Sequence, residues 1–201
     1  MIGALSAVKG GSMKDLRSVA GIFVLVFCMA FSANAKKTAI LNVDKGETFN
    51  DYNGVEVSIS EENAEKKGSM VVKLDVAKGG EGFWAGVSNP KKIFDGYDFI
   101  RFYAFNPGKT PLPLAITVKF GSSNCKYEDR FDANFMLKPG KNNVEVEIAA
   151  ACTNGGKACD WKQKPFWYFS GPQNEKYTFY VGSIFIETAE DEKPAEKEKK
   201  K

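Results

Sequence analysis

Apolar and polar positions alternate with a period of two along much of this chain, in short stretches closed by Gly, Pro and Asn. The segments 55–60 (VEVSIS), 70–76 (MVVKLDV) and 144–148 (VEVEI) show the alternation most cleanly. Further apolar stretches lie at 38–43, 83–88, 99–105, 112–120, 135–137, 166–169 and 179–186, separated by a Gly-rich turn at 78–82, Asn106-Pro-Gly and Lys138-Pro-Gly. Successive side chains of a strand point to opposite faces, so this pattern reads as half-buried strands. Many such strands at close spacing predict an all-β sandwich or barrel. A helical turn is expected at most over 61–67, and neither βαβ alternation nor an internal repeat is visible.

The phase of alternation sorts residues by face. In 99–105, Ile100, Phe102 and Ala104 share one side and Arg101, Tyr103 and Phe105 the other. In 112–120, Leu114, Ile116, Val118 and Phe120 suit the core and leave Ala115, Thr117 and Lys119 opposite. In 83–88, a core of Phe83, Ala85 and Val87 places Trp84 on the second face. If these strands are neighbours, one outer face carries Trp84, Arg101, Tyr103, Thr117 and Lys119. The alternatives are a core Trp84 and a merely amphipathic Tyr103; Trp161, Trp167 and Tyr168 are expected to pack beneath the nearby cysteine loop.

An aromatic and polar sheet face suits a sugar. Its C–H face stacks on Trp or Tyr, while its hydroxyls meet Arg, Lys, Thr or carboxylates. Trp84, Arg101 and Tyr103 are the foremost contact candidates, with Thr117 and Lys119 beside them.

Composition narrows the chemistry. The 201 residues include no His, which excludes Ser-His-Asp and Cys-His nucleophile systems and His-containing zinc sites. The formal charge is +3, and Arg101 and Arg130 are the arginines beyond the leader, too few for a phosphate-binding stripe; no nucleic-acid partner is expected.

Residues 1–35 read as a signal peptide, with Met13 a possible true start. Lys14 and Arg17 precede the apolar run 19–31, and Ala33-Asn34-Ala35 is a small-x-small cleavage pattern. The run is short for a membrane span, although an uncleaved anchor is the alternative, and Phe27 before Cys28 opposes a lipoprotein signal. Residues 189–201 (AEDEKPAEKEKKK) form a charged, solvated tail expected to be disordered. The domain is thus 36–188, secreted or held in the periplasm or at the cell surface.

Export implies an oxidising setting for Cys125, Cys152 and Cys159. Cys152 and Cys159 flank a flexible Thr-Asn-Gly-Gly-Lys-Ala loop and are favoured as a disulfide, with Cys125 the competing partner. An odd thiol is left over, which allows a disulfide-linked dimer.

Several segments taken together resemble jelly-roll carbohydrate-binding modules of the galactose-binding-domain-like group. They are 68–74 (GSMVVKL), 82–88 (GFWAGVS), 95–103 (DGYDFIRFY), 105–108 (FNPG), 137–146 (LKPGKNNVEV), 166–172 (FWYFSGP) and 177–184 (YTFYVGSI). The resemblance spans roughly 38–188. It implies a two-sheet antiparallel β-sandwich, a jelly roll, whose concave face binds a glycan, plant cell-wall polysaccharide above all, since many members accompany bacterial glycoside hydrolases. Such modules often carry an Asp pair in the last strand that helps hold calcium; here the positions are Gly182 and Ser183, so no metal or other cofactor is assigned.

The function expected is therefore secreted, non-catalytic carbohydrate binding. Two alternatives stand beside it. One is a jelly-roll glycosidase using Glu145 and Glu147, or a polysaccharide lyase using Tyr103 beside Arg101. The other is a structural or assembly protein of the periplasm or cell surface.

Overall fold

The computed structural model describes residues 35–50, 54–77, the backbone of 84–86, and 94–189. The expected leader, apart from Ala35, and the expected tail, apart from Ala189, lie outside the described residues, as do Phe83 and Val87. Among the described residues ten strands occur in order: β1 (Lys37–Leu41), β2 (Val55–Ser60), β3 (Val71–Val76), β4 (Trp84–Gly86), β5 (Phe99–Asn106), β6 (Leu112–Phe120), β7 (Phe131–Leu137), β8 (Gly140–Glu147), β9 (Pro165–Ser170) and β10 (Tyr177–Glu187).

They form two antiparallel sheets. One has the order β2-β3-β10-β5-β8, with β1 paired to the C-terminal part of β10; the other is β4-β9-β6-β7. The core lies between them. Ile100, Phe102 and Ala104 of β5 and Phe179, Val181, Ile184 and Ile186 of β10 meet Leu114, Ile116 and Val118 of β6 and Trp167 and Phe169 of β9, all buried. The inward phases expected for β5 and β6 are the observed ones.

Two features depart from plain alternation. In β10, Val181 pairs with Ala104 but Ile184 with Phe102, so one extra residue is accommodated at Gly182-Ser183. This bulge resets the phase, and apolar residues face the core on both sides of it. Ser183 Oγ also accepts a hydrogen bond from the backbone N–H of Val43 at 3.0 Å. Strand β8 starts at Gly140, ahead of the alternating 144–148, because its ladder with β5 runs through the polar residues 141–143.

The segment 61–67 is a series of turns rather than a helix, with Asn63 at φ 58. It covers the outer face of the six-stranded sheet, where Val71, Tyr103 and Tyr180 form a small buried cluster packed by Ala64 and Phe105.

The expected Cys152–Cys159 bond is not formed: Cys125, Cys152 and Cys159 are free thiols. Register supplies the reason. Cys152 pairs with Ala158 in a short antiparallel bridge. The flanking bonds Cys159 N–H to Ala151 O and Thr153 N–H to Lys157 O, at 3.1 and 2.7 Å, put Cys159 opposite Ala151. Neighbouring positions in such a hairpin point to opposite faces, so the two thiols diverge. Cys152 is exposed, whereas Cys159 packs against the core, where burial and then the neighbouring Cys152 push its pKa up to about 11. At pH 8, alkylation of Cys159 should lag that of an unperturbed cysteine peptide by about tenfold or more, with Cys152 modified first. Peptide mapping after timed quenching measures this, and equal rates at the two positions would contradict the register.

Trp161 does pack beneath this loop. Its indole N–H donates to Ile148 O at 2.9 Å, and its ring stacks on Phe94 at 5.8 Å between centroids and meets Phe120 edge-on at 5.0 Å. Trp167 lies in the main core instead, and Tyr168, next in β9, takes the outer face.

Candidate functional site

The five candidate residues do not share a face. β5 and β6 are consecutive in sequence but belong to different sheets, which corrects the assumption that they are neighbours. Arg101 and Tyr103 stand on the outer side of the six-stranded sheet, while Thr117, Lys119 and the strand of Trp84 belong to the four-stranded one. The crossing is made at 106–111. Asn106, 3% exposed, donates through Nδ2 to Thr110 O and Leu137 O at 2.9 and 3.0 Å, and its Oδ1 accepts from the Gly108 N–H at 2.8 Å. A turn held in this way carries the chain across the sandwich rather than back along the same sheet.

On the six-stranded side, a groove of about 460 Å³ passes Lys37, Arg101, Tyr103, Asn143, Phe185 and Glu187. Its polar groups are largely committed to one another. Arg101 donates from Nε to Glu145 at 2.8 Å and from Nη1 to Glu187 at 2.9 Å, and its guanidinium lies 4.6 Å from the Phe99 ring centre. Lys37 pairs with the other oxygen of Glu187. Burial alone would raise the pKa of Glu187, but the hydrogen bonds from Lys37 and Arg101 outweigh it and the net shift is downward. Tyr103 is 7% exposed and donates its hydroxyl to Asn63 O at 3.0 Å. Burial, then the charge of Glu65, raises its pKa, which makes it a poor base.

The outer face of the four-stranded sheet is built differently. Its register sets residues in rows: Trp84, Ser170, Ala115 and Asn134 in one, Gly86, Tyr168, Thr117 and Asp132 in the next, then Phe166 and Lys119. Adjacent strands are about 4.8 Å apart and successive rows about 7 Å. The residues between these positions, Trp167, Phe169, Ile116 and Val118, are buried in the core, which locks the strands and the outward rows with them.

Tyr168, half-buried, sits at the centre. Thr117 Oγ1 donates to Asp132 Oδ1 at 2.6 Å. The other Asp132 oxygen accepts from Arg130 Nε and Nη2 at 3.0 and 2.9 Å and from Asn154 Nδ2 at 2.9 Å. The Arg130 guanidinium lies 4.7 Å from the ring centre of Tyr127, which is 60% exposed. Lys119 Nζ is 5.4 Å from the Tyr168 ring centre and donates to Ser123 O at 2.9 Å. Burial raises the Tyr168 pKa despite a hydrogen bond with Thr117 and the nearby Arg130 charge.

Beyond Tyr168 the same face opens into a shallow groove of about 630 Å³ with a floor of small residues, Ala115, Ser170 and Gly171, between Pro113, Met136 and Pro172. The Trp84 register position adjoins this row; the Trp84 side chain lies outside the described residues. A fixed aromatic ring, a ring of oriented donors and acceptors, and an open trough can bind an extended amphipathic ligand without ordering a loop. Among the described residues, no group of His, Cys, Asp and Glu is placed to hold a metal ion.

Of the residues expected from the sequence, Thr117 (2% exposed) and Lys119 stand on this sheet; Tyr168, Asp132, Arg130 and Asn154, which stand with them, were not among the expected set. The alternation in 166–170 (FWYFS) carries the signal for Tyr168: once Trp167 and Phe169 are core, Phe166, Tyr168 and Ser170 must face outward. Asn154 reaches the face from the cysteine hairpin, a contact that no local pattern announces.

No family model matches the chain, and no curated protein matches it. Solved structures do. The family 11 carbohydrate-binding module of the cellulosomal cellulase Lic26A-Cel5E of Clostridium thermocellum is similar with a TM-score of 0.55 at 11% identity, over 77% of this chain and 95% of that one. The family 11 module of Clostridium thermocellum in complex with a β-1,3-1,4-mixed-linked tetrasaccharide gives 0.50 at 11% identity, over 80% and 92%. The agarase AgWH50C gives 0.57 at 9% identity, over 76% of this chain and 24% of the enzyme. At these identities the likeness is one of fold, and the fold is the two-sheet jelly-roll sandwich of carbohydrate-binding modules.

Proposed function

We propose that this chain is an exported, non-catalytic carbohydrate-binding protein that lays a polysaccharide along the outer face of the four-stranded sheet. The observation that carries the reading is the arrangement on that face: Tyr168 surrounded by Thr117, Lys119, Asp132 and Arg130 and continued by the trough over Ala115 and Ser170. The tetrasaccharide held by the family 11 module, which shares the fold, supports a polysaccharide as ligand. Plant cell-wall β-glucans and xylans are the first ligands to test. Export rests on the leader at 1–35.

Binding is favoured over hydrolysis or elimination by the state of the titratable groups. Asp132 is occupied by three donor residues, Glu145 is tied to Arg101 on the opposite side of the sandwich, and Tyr103 and Tyr168 have raised pKa values. The two tyrosines are thereby held protonated at neutral pH and are unsuited to act as bases.

Calorimetric titration of the purified protein with soluble β-glucan and xylan tests the reading. Tyr168→Ala and Trp84→Ala should each weaken binding by about 1–2 kcal/mol through lost stacking. Arg101→Ala, on the other sheet, should leave affinity unchanged. Loss of binding in Arg101→Ala with none in Tyr168→Ala would move the site to the six-stranded sheet, and release of reducing ends would make the protein an enzyme.

A further inference from the structure

The proposed glycan face differs in charge from end to end. Around the trough, Pro113, Ala115, Asn134, Met136, Ser170 and Pro172 carry no ionisable group. Around Tyr168 the face is cationic. Resting on the reading above, we propose that the Tyr168 end receives an acidic group of the ligand, a carboxylate or a sulfate ester, so that the preferred ligand class is an anionic polysaccharide.

The geometry of Arg130 is the first support. Asp132 takes the Nε–Nη2 edge of its guanidinium, which lies over the Tyr127 ring, so its position is set before a ligand arrives. Among the described residues Nη1 has no partner, and a guanidinium edge fixed in this way matches the two oxygens of a carboxylate or a sulfate. Lys119 is the second support. Its ammonium gives one of three N–H bonds to the carbonyl of Ser123, an uncharged acceptor, and otherwise lies beside Tyr168.

The balance of charge agrees. Among the described residues, Asp132 is already matched to Arg130, and Asp129 pairs with Lys157 at 3.2 Å. The charge of Lys119 is left without an acidic partner among the described residues. A neutral glycan would leave it so; an acidic one would answer it where the aromatic ring already fixes the sugar.

The test compares matched probes at equal chain length: polygalacturonate for a carboxylate, κ-carrageenan for a sulfate ester, and neutral galactan and β-glucan. At about 0.05 M salt an acidic probe should bind roughly tenfold tighter than its neutral counterpart, in line with one charge-assisted hydrogen bond. The advantage should shrink at about 0.5 M salt. Which acidic probe wins identifies the group. Lys119→Gln should weaken the acidic probe about tenfold more than it weakens the neutral one, while Lys73→Gln, on the opposite sheet, should change neither. Equal or tighter binding of the neutral probes, or indifference to Lys119→Gln, overturns this inference alone. Failure of every probe to bind overturns it together with the proposed function.

Discussion

Phe169→Ala should lower the stability of the sandwich by about 3–5 kcal/mol, the usual cost of truncating a fully enclosed aromatic residue. Phe169 is 0% exposed and ties the two sheets together. Its ring meets Phe102 and Phe179 of the six-stranded sheet at 5.4 and 6.4 Å, and Phe135 and Trp167 of its own sheet at 6.2 Å each. Phe49 closes the cluster at 5.6 Å. These contacts are edge-to-face, the arrangement aromatic quadrupoles favour, and each adds about 0.5–1.5 kcal/mol beyond buried area. The cavity left by Ala would not collapse readily, because β9 is hydrogen-bonded to β4 and β6 on its two sides. Urea unfolding followed by tryptophan fluorescence should show a lower midpoint with an unchanged slope. Phe169→Leu, which keeps most of the volume, should cost clearly less. A loss below about 1 kcal/mol for the Ala variant would mean that the sheets are held together elsewhere.

Single-strand properties were legible in the sequence; relations between strands were not. The inward sets of β5 and β6 follow from alternation, because a strand cannot turn one residue to the core without turning its neighbours out. The same logic extended to 166–170 would have placed Tyr168 on the outer face beside Thr117. Sheet membership is another matter. It depends on a turn at Asn106 whose side chain bonds the carbonyls of Thr110 and Leu137, and an Asn-Pro-Gly sequence serves a hairpin or a crossover equally well. For that reason alternation alone groups Arg101 and Tyr103 with Thr117 and Lys119 although the sandwich lies between them. The cysteines failed on register: proximity in sequence suggested a bond, and pairing Cys152 with Ala158 sends Cys159 to the other side. Gly182-Ser183 stands out in the sequence for the acids it lacks, yet its role in the fold is the bulge that keeps both halves of β10 facing the core.

Asp132 joins fold and site, and its replacement is the second large effect expected. Its carboxylate holds Thr117 of β6, Arg130 at the entry to β7 and Asn154 of the cysteine hairpin. Asp132→Ala leaves the Arg130 charge and the Thr117 hydroxyl without their acceptor. The Arg130 side chain is 28% exposed and that of Asp132 16%, so water replaces part of what is lost. A stability loss of about 2 kcal/mol is therefore expected, below the 3–5 typical of a fully buried pair. Glycan affinity should fall by more than stability alone explains, about tenfold, because Arg130 no longer presents a fixed edge to the ligand and must be ordered on binding. Asp132→Asn separates the two roles. Its amide oxygen still accepts from Thr117, but its amide nitrogen faces the donors of Arg130 and Asn154, so stability should recover only the part owed to Thr117 and affinity should not recover. Urea unfolding and calorimetric titration of the same two variants decide the matter. If both bind glycan as the unaltered protein does, Asp132 is a structural clasp and the ligand passes Arg130 by.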